Sequence, residues 1–284
     1  MGQLSPARGQ TRPFADRIPW VGLGRAYLFL AYVFLFLPLA VLVIFSLQAN
    51  RFPGLPLRGW TLDWYRQLFE EGDLIEALGN SLLVSPAAAT AGTVIGFLAA
   101  YAVNRFDFPG KSVLLAVIAL PILIPPLILG VAFLGLLARV HLNGTLFSVF
   151  LAHTVLVTAP AMAIIQLRLS QMPKDLEEAA WDLGASELTT LRRVVLPFAM
   201  PGIVGGWLLA FTFSFDEFMI AWFVSGFDQT LPVAIYSILV ASIDPTLNAI
   251  GAIVFCISAT VLVCLEVQLL PMLMRRKDAR QEPS

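Results

Sequence analysis

Six long apolar runs dominate this chain of 284 residues. A helix that crosses a bilayer needs about 20 consecutive residues of mostly apolar character. The runs are continuous and do not alternate between apolar and polar residues, so they favour helices over the strands of a membrane barrel. They predict six transmembrane helices, at 26–47, 81–103, 112–138, 146–167, 200–222 and 247–270.

The composition supports the same class of protein. Hydrophobic residues make up 58% of the chain and charged residues 13%, against about 25% charged residues in soluble domains. This balance excludes a soluble enzyme and a disordered chain. The net charge is −1, so there is no basic surface for nucleic acid and none is expected as a partner. We therefore predict an all-α integral membrane protein.

The distribution of lysine and arginine predicts the orientation. Of 18 such residues, 14 fall on one side of the predicted spans. Basic residues concentrate in cytoplasmic loops, so both termini are expected in the cytoplasm. The predicted domains are a cytoplasmic tail at 1–25, a transmembrane domain at 26–274 and a second cytoplasmic tail at 275–284. The first run is interpreted as a retained helix and not as a cleaved signal peptide.

The chain offers few groups for chemistry. Cys256 and Cys264 are eight residues apart in one apolar run, so no disulfide framework is implied. With two histidines in the whole chain, no metal site is predicted. Gly110-Lys111-Ser112 matches only the end of a phosphate-binding loop, because the first glycine of that pattern is replaced by Arg105. We expect no catalytic residue, cofactor or metal on this chain.

The segment at 170–197, between the fourth and fifth spans, carries strong helix signals. Pro173 suits the start of a helix, and Gly184 suits the residue after its end. Ser186 suits the N-cap of a second helix, and Pro197 is interpreted as the end of that helix. The sequence predicts two short helices joined by a sharp turn, on the cytoplasmic side.

The first of these helices has a narrow apolar face. Leu176, Ala179, Ala180 and Leu183 follow the i, i+3, i+4, i+7 spacing of one helix face. The small residues at its centre suit a helix that docks into a groove of a partner. The alternative is that this face packs against the protein's own helices.

The same segment resembles a known signature. Glu178-Ala179-Ala180, then Gly184, Val194 and Leu196-Pro197 resemble the EAA motif of permease subunits of ABC importers, with Val194 where the family usually has isoleucine. The resemblance implies a type I ABC importer (MetI-like) permease fold. It also implies a coupling helix that contacts a separate ATPase. The residues to which it assigns this coupling are Glu177, Glu178, Ala179, Ala180, Leu183, Gly184 and Ser186.

The C-terminal third extends the resemblance. Residues 213–226, 230–237 and 244–249 are similar to the second permease of spermidine/putrescine importers. This implies transport of a small organic cation, with opines, mannopine and betaine-like solutes as alternatives. The partners implied are a second permease, two ATPase subunits that hold ATP and magnesium, and an extracytoplasmic binding protein. The implied location is the inner membrane of a bacterial cell.

Two adjacent acids interrupt the fifth span. A carboxylate inside a membrane is costly unless it is paired or hydrated, so such acids are candidates for function. Aromatic rings nearby can bind ammonium groups through cation–π attraction. The predicted substrate path comprises Phe213, Phe215, Asp216, Glu217 and Trp222. Adjacent residues of a helix point about 100° apart, so one acid of the two is expected to face the path. The alternative is an acid that caps, or pairs with, a neighbouring subunit.

Proline and glycine mark two further features. Pro121, Pro125 and Pro126 predict a bend in the third span, which either lines a pathway or is a packing kink. Gly92 with Gly96, and Gly202 with Gly206, predict close packing between helices.

Two other functions remain open at this point. A stand-alone secondary transporter would need no ATPase, and a membrane-embedded enzyme would need a cluster of polar groups at one depth. Copurification with an ATPase would separate an ABC permease from both.

Overall fold

The computed structural model describes residues 20–52, 54–173 and 175–260. The two predicted tails therefore lie largely outside the described residues, as do Cys264, Glu266 and the end of the sixth predicted span. All regular elements of the described part are helical, apart from an isolated bridge between Gln48 and Trp60. The helices are α1 (Trp20–Ser46), α2 (Asp63–Glu71), α3 (Asp73–Arg105), α4 (Lys111–Leu123), α5 (Pro126–Arg139), α6 (Leu146–Leu169), α7 (Asp175–Asp182), α8 (Glu187–Thr190), α9 (Leu196–Asp216), α10 (Met219–Val224), α11 (Leu231–Ala241) and α12 (Thr246–Thr260).

Within the described residues, four helices are long and apolar enough to cross a membrane, or five if a sharply bent pair is counted as one span. The six predicted spans are therefore not confirmed as six. The third predicted span forms the bent pair α4 and α5. The fifth stops at Asp216, and the sixth is described only as far as Thr260.

The bend in the third span lies at its prolines. The axes of α4 and α5 differ by 107° across residues 124–125. Pro125 has no N–H to donate, so the helical hydrogen bonding cannot continue through it. Beyond the bend, α5 packs on α10, where Gly130 brings the two backbones together: a Cβ there would lie 2.7 Å from a ring carbon of Phe223. The predicted bend is confirmed.

Residues 67–243 form one compact unit around α3, α6 and α9. Glycines allow these helices to approach closely, as predicted. A Cβ at Gly96 would lie 2.9 Å from the backbone nitrogen of Met162 on α6, and one at Gly206 would lie 3.0 Å from the carbonyl oxygen of Ala161. Gly92 and Gly202 face α6 in the same way. Close helix approach through small residues compensates for the weak hydrophobic drive inside a bilayer.

The described residues of the 20–66 and 244–260 segments belong to a second unit. In it, Trp64 on α2 donates its indole N–H to the carbonyl oxygen of Gln48 at 2.7 Å. The Tyr65 hydroxyl lies 2.7 Å from the Ser46 hydroxyl. The start of α2 is thereby tied to the end of α1. Further along, Gly251 on α12 approaches a methyl carbon of Leu42 on α1.

Candidate functional site

The 170–197 segment forms the predicted helix and turn. After α7, Gly184 adopts a φ of +83°, a conformation that costs other residues free energy because of their Cβ. Its N–H donates to the carbonyl oxygen of Trp181 at 2.8 Å, and the next N–H, of Ala185, donates to that of Ala180 at 3.0 Å. These bonds satisfy carbonyls that the end of α7 leaves free.

Ser186 is the N-cap of the following helix. Its hydroxyl oxygen accepts a hydrogen bond from the N–H of Thr189. The predicted end of this helix at Pro197 is wrong. A π-helical turn, Leu191–Val195, joins α8 directly to α9, and Pro197 lies in the first turn of α9. Proline is tolerated there because its missing N–H is not needed in that turn. The segment is therefore continuous with the fifth span.

Most of the seven residues assigned to coupling lie on the surface. Glu178, Ala179, Gly184 and Ser186 are exposed, and Leu183 is 90% exposed. Ala180 is half-buried. The apolar face that sequence analysis identified is thus uncovered in the free chain, as a docking face requires.

Glu177 is separate from this surface. Its side chain is only 7% exposed, and its Oε2 lies 2.9 Å from Nε of Arg105 at the end of α3. The guanidinium of Arg105 also lies over the ring of Trp181, with Cζ 4.8 Å from the ring centroid. Glu177 and Trp181 are four residues apart and so share one side of α7. No local pattern predicted the contact of Arg105 with Glu177 and Trp181, because α3 and α7 are far apart in the chain.

The second candidate region is a break between α9 and α10. The α9 helix ends at Asp216, and Glu217 begins the turn into α10. The carboxylate of Glu217 accepts hydrogen bonds from the N–H groups of Ile220, at 2.9 Å, and Ala221, at 3.0 Å. It therefore caps α10 within this chain, whereas the alternative stated above was a cap on, or a pair with, a neighbouring subunit.

A buried histidine supports this break. His153 on α6 is fully buried, and its Nε2 lies 3.4 Å from Oε2 of Glu217. Its Nδ1 lies 2.9 Å from the hydroxyl oxygen of Ser214 on α9. One side chain of α6 thereby fixes both sides of the break.

The five residues of the predicted path do not form one cluster. Asp216 and Phe213 are exposed, whereas Glu217 turns inward. Phe215 stacks on Phe211, with ring centroids 5.8 Å apart. Trp222 belongs to a different group of rings.

That group, the aromatic trio, consists of Phe218, Trp222 and Tyr236. Tyr236 on α11 lies 4.7 Å from Phe218 and 5.1 Å from Trp222, measured between ring centroids. Phe218 and Trp222 are four residues apart, so their contact could have been expected from the spacing. Tyr236 had no such signal.

Comparisons with known proteins show the family to which this chain belongs. Residues 92–275 match the family model of the binding-protein-dependent transport system inner membrane component. The chain belongs to this family. The spermidine/putrescine transport system permease protein PotC of Haemophilus influenzae is 35% identical over 242 residues, which is 85% of this chain and 94% of that protein. The putrescine transport system permease protein PotI of Escherichia coli K12 is 35% identical over 246 residues, 84% and 86% of the two chains.

A solved structure shares the fold. It is a bacterial ABC transporter involved in the import of the acidic polysaccharide alginate, with a TM-score of 0.71 and 16% sequence identity over 90% of this chain and 98% of the other. Membership of the family makes the protein a multi-pass ABC permease, and the regular elements of its described residues are helices. As a permease it is a non-catalytic membrane component of a transporter. Its family implies an ATPase, a binding protein and a second permease as partners.

Proposed function

We propose that this permease imports a polyamine or a similar small organic cation. The observation that carries the proposal is the 35% identity, over most of the chain, to permeases of both spermidine/putrescine and putrescine transport. The exposed carboxylate of Asp216, close in sequence to the aromatic trio, is chemically suited to an ammonium group. A carboxylate attracts the cation, and ring faces bind it after it has lost water.

The substrate path runs along the break between α9 and α10. Asp216 contributes the charge, while Glu217 holds the start of α10 in place. Trp222 contributes a ring face, together with Phe218 and Tyr236 of the trio. Phe213 is exposed beside Asp216, and Phe215 supports that part of α9 through its stacking on Phe211. Irregular backbone of this kind is tolerated in a membrane where it lines a cavity.

The energy for transport is supplied by another subunit. We assign the exposed surface of α7 and the turn after it, including Glu178, Leu183 and Gly184, to contact with the ATPase. ATP and magnesium belong to that subunit, of which the complex contains two copies. A second permease and an extracytoplasmic binding protein complete it.

The mechanism is alternating access. Closure of the ATPase pair draws the two α7 helices of the permease pair together and opens the spans outward. The binding protein then delivers the cation, and ATP hydrolysis returns the inward-facing state. The continuity of α8 with α9 supports this mechanism, because displacement at α7 passes along the chain toward the break at Glu217.

The orientation in the membrane follows from the charge distribution. Six spans with both termini in the cytoplasm place 14 of the 18 lysines and arginines on the inner side of a bacterial inner membrane. A reporter fused after residue 280 is expected to be active in the cytoplasm. Activity in the periplasm would invert the assignment.

The substrate is tested with the assembled transporter. Uptake of radiolabelled putrescine and spermidine into proteoliposomes is compared with uptake of a mannopine-type opine and of glycine betaine. We expect the polyamines to be taken up and to displace one another. Uptake of the opine or betaine alone would assign the permease to another substrate class.

A further inference from the structure

The one residue that the coupling helix α7 buries is charged. Among the eight residues of α7, all of which the structure describes, only Glu177 is buried. A helix of this size normally packs through an apolar stripe. Here the apolar side chains of Leu176 and Leu183 are exposed, and the buried contact is the ion pair with Arg105.

Arg105 makes two contacts with α7 at once. It forms an ion pair with Glu177, and its guanidinium lies over the ring of Trp181. The Arg105 side chain is 18% exposed and that of Glu177 is 7% exposed, so the attraction between their charges is screened less by water than on an open surface. Only a planar cation can pair with a carboxylate and stack on a ring in this way.

Arg105 also connects α7 to the central helices of the unit. Arg105 is the last residue of α3. Closer to the N-terminus of α3, Gly92 and Gly96 bring the helix into backbone contact with α6. A force applied to α7 therefore reaches α3 through the side chain of Arg105, and reaches α6 through the close packing of α3 on α6.

We propose that Arg105 is the positioning residue that transmits movement of α7 to α3. Through this contact, ATP hydrolysis on the partner subunit moves the membrane-spanning helices and is coupled to transport. The inference rests on the proposed docking of α7 to the ATPase. It adds that docking through α8 and α9 alone is insufficient, and that the clamp of Arg105, Glu177 and Trp181 is a second, required connection.

The first test is Arg105→Lys in the reconstituted transporter, with putrescine as the probe. Lysine keeps the charge but cannot pair and stack together. We expect the ATPase to copurify and to hydrolyse ATP, while putrescine taken up per ATP falls at least about fivefold, the lower end of usual coupling between sites. Unchanged uptake per ATP would overturn the proposal.

A double variant in which the two charges are exchanged distinguishes a loss of transmission between α7 and α3 from a loss of protein stability. Arg105→Glu combined with Glu177→Arg restores the ion pair and puts the guanidinium four residues from Trp181 on the same side of α7, where it can stack on that ring. We therefore expect uptake per ATP to recover to within about twofold of the wild type, as for a pair whose energies are coupled. If the swap assembles and hydrolyses ATP but does not recover uptake, the clamp has no transmitting role. If the Arg105→Lys transporter does not assemble, Trp181→Leu replaces it. This change removes only the stacking, and we expect the same fall in uptake per ATP.

A nearby pair provides the control. Lys111, the first residue of α4, and Asp107, in the loop before it, form an ion pair at the surface, with 3.3 Å between Nζ and Oδ1. Exposed pairs contribute little, so Lys111→Gln should leave uptake per ATP unchanged. Leu183→Asp tests the docking itself: if this variant still binds and couples the ATPase, the proposed docking fails. If Leu183→Asp uncouples and Arg105→Lys does not, only the role of Arg105 fails.

Discussion

Asp216 and Glu217 are neighbours in the chain with different surroundings. Asp216 is exposed at the end of α9. Glu217 lies against His153 and accepts hydrogen bonds from the first N–H groups of α10. At the scale of single residues, one acid therefore stabilises the break, and the other is available to a cation.

Replacing Asp216 by asparagine tests the role of the exposed acid. The side chain keeps its shape and loses its charge, so we expect putrescine uptake to fall about tenfold, corresponding to one interaction of ~1.4 kcal/mol. Asp228→Asn, an exposed acid in the loop before α11, is the matched control and should have no effect. Equal uptake in the two variants would remove Asp216 from the path.

The neighbouring change, Glu217→Gln, should affect stability. Loss of the charged acceptor weakens the cap of α10 and leaves His153 without its anionic partner, which should cost about 1 kcal/mol, typical of a lost cap. Thermal unfolding of the purified complex measures this, with Asp216→Asn as the control because an exposed side chain should leave the Tm unchanged. An equal Tm for wild type and Glu217→Gln would contradict the capping role.

At the scale of elements, the turn after α7 depends on a single glycine. A Cβ at Gly184 would meet nothing within 4 Å. Its φ of +83° is therefore the only feature that makes a residue with a side chain unfavourable there. We expect Gly184→Ala to cost about 1–2 kcal/mol of backbone strain and to lower transport-coupled ATP hydrolysis. Gly184→Pro, whose ring fixes φ near −65°, should abolish it.

Gly135 in α5 is the matched control for this turn. It also has open space around its Cβ position but no positive φ. Gly135→Ala should therefore leave the coupled activity intact. Full activity in Gly184→Pro would show that the conformation of the turn is irrelevant to coupling.

The packing of α3 on α6 gives a separate prediction. Gly96→Ala inserts a methyl group 2.9 Å from the backbone of Met162, which cannot move away as a flexible side chain would. We expect a loss of about 1–3 kcal/mol from overpacking, seen as a lower Tm. Gly79→Ala, on the same helix with nothing within 4 Å, should be neutral. A neutral Gly96→Ala would mean that the two helices are not held at this distance.

Sequence patterns were informative where the cause of the structure is local. The apolar runs predicted α3 and α6, the prolines predicted the bend before α5, and Gly184 with Ser186 predicted the turn. The patterns failed where a contact joins distant segments. The pairing of Glu177 with Arg105 is of this kind, since nothing near either residue specifies the other.

The prediction was also wrong at two helix ends: one break was not predicted, and one predicted end is absent. The run at 200–222 is apolar enough to continue as one helix, but capping of α10 by Glu217 provides a favourable break. Pro197 looked like a helix end, but the π-helical turn before it places the proline in the first turn of α9. Such turns require tertiary support that propensity does not reveal.

At the scale of the whole molecule, the spans differ in how much of their surface the chain itself covers. In the most apolar window of each helix, 72% of α6 is buried but only 28% of the helix that includes α9. Apolar surface of this extent is covered by lipid or by another subunit. In the proposed complex, the second permease covers part of α9, and the 170–197 segment at its start contacts the ATPase.

In the proposed transporter, this permease moves its cation only when an ATPase acts on the 170–197 segment. The most direct measurement is putrescine uptake into proteoliposomes that contain both permeases and the ATPase, supplied with binding protein and ATP. We predict uptake that requires ATP and is abolished by Leu183→Asp, which places a charge on the exposed face of α7. Uptake by the permease without the ATPase, or undiminished ATP-driven uptake in the Leu183→Asp variant, would show that transport does not depend on an ATPase acting on this segment.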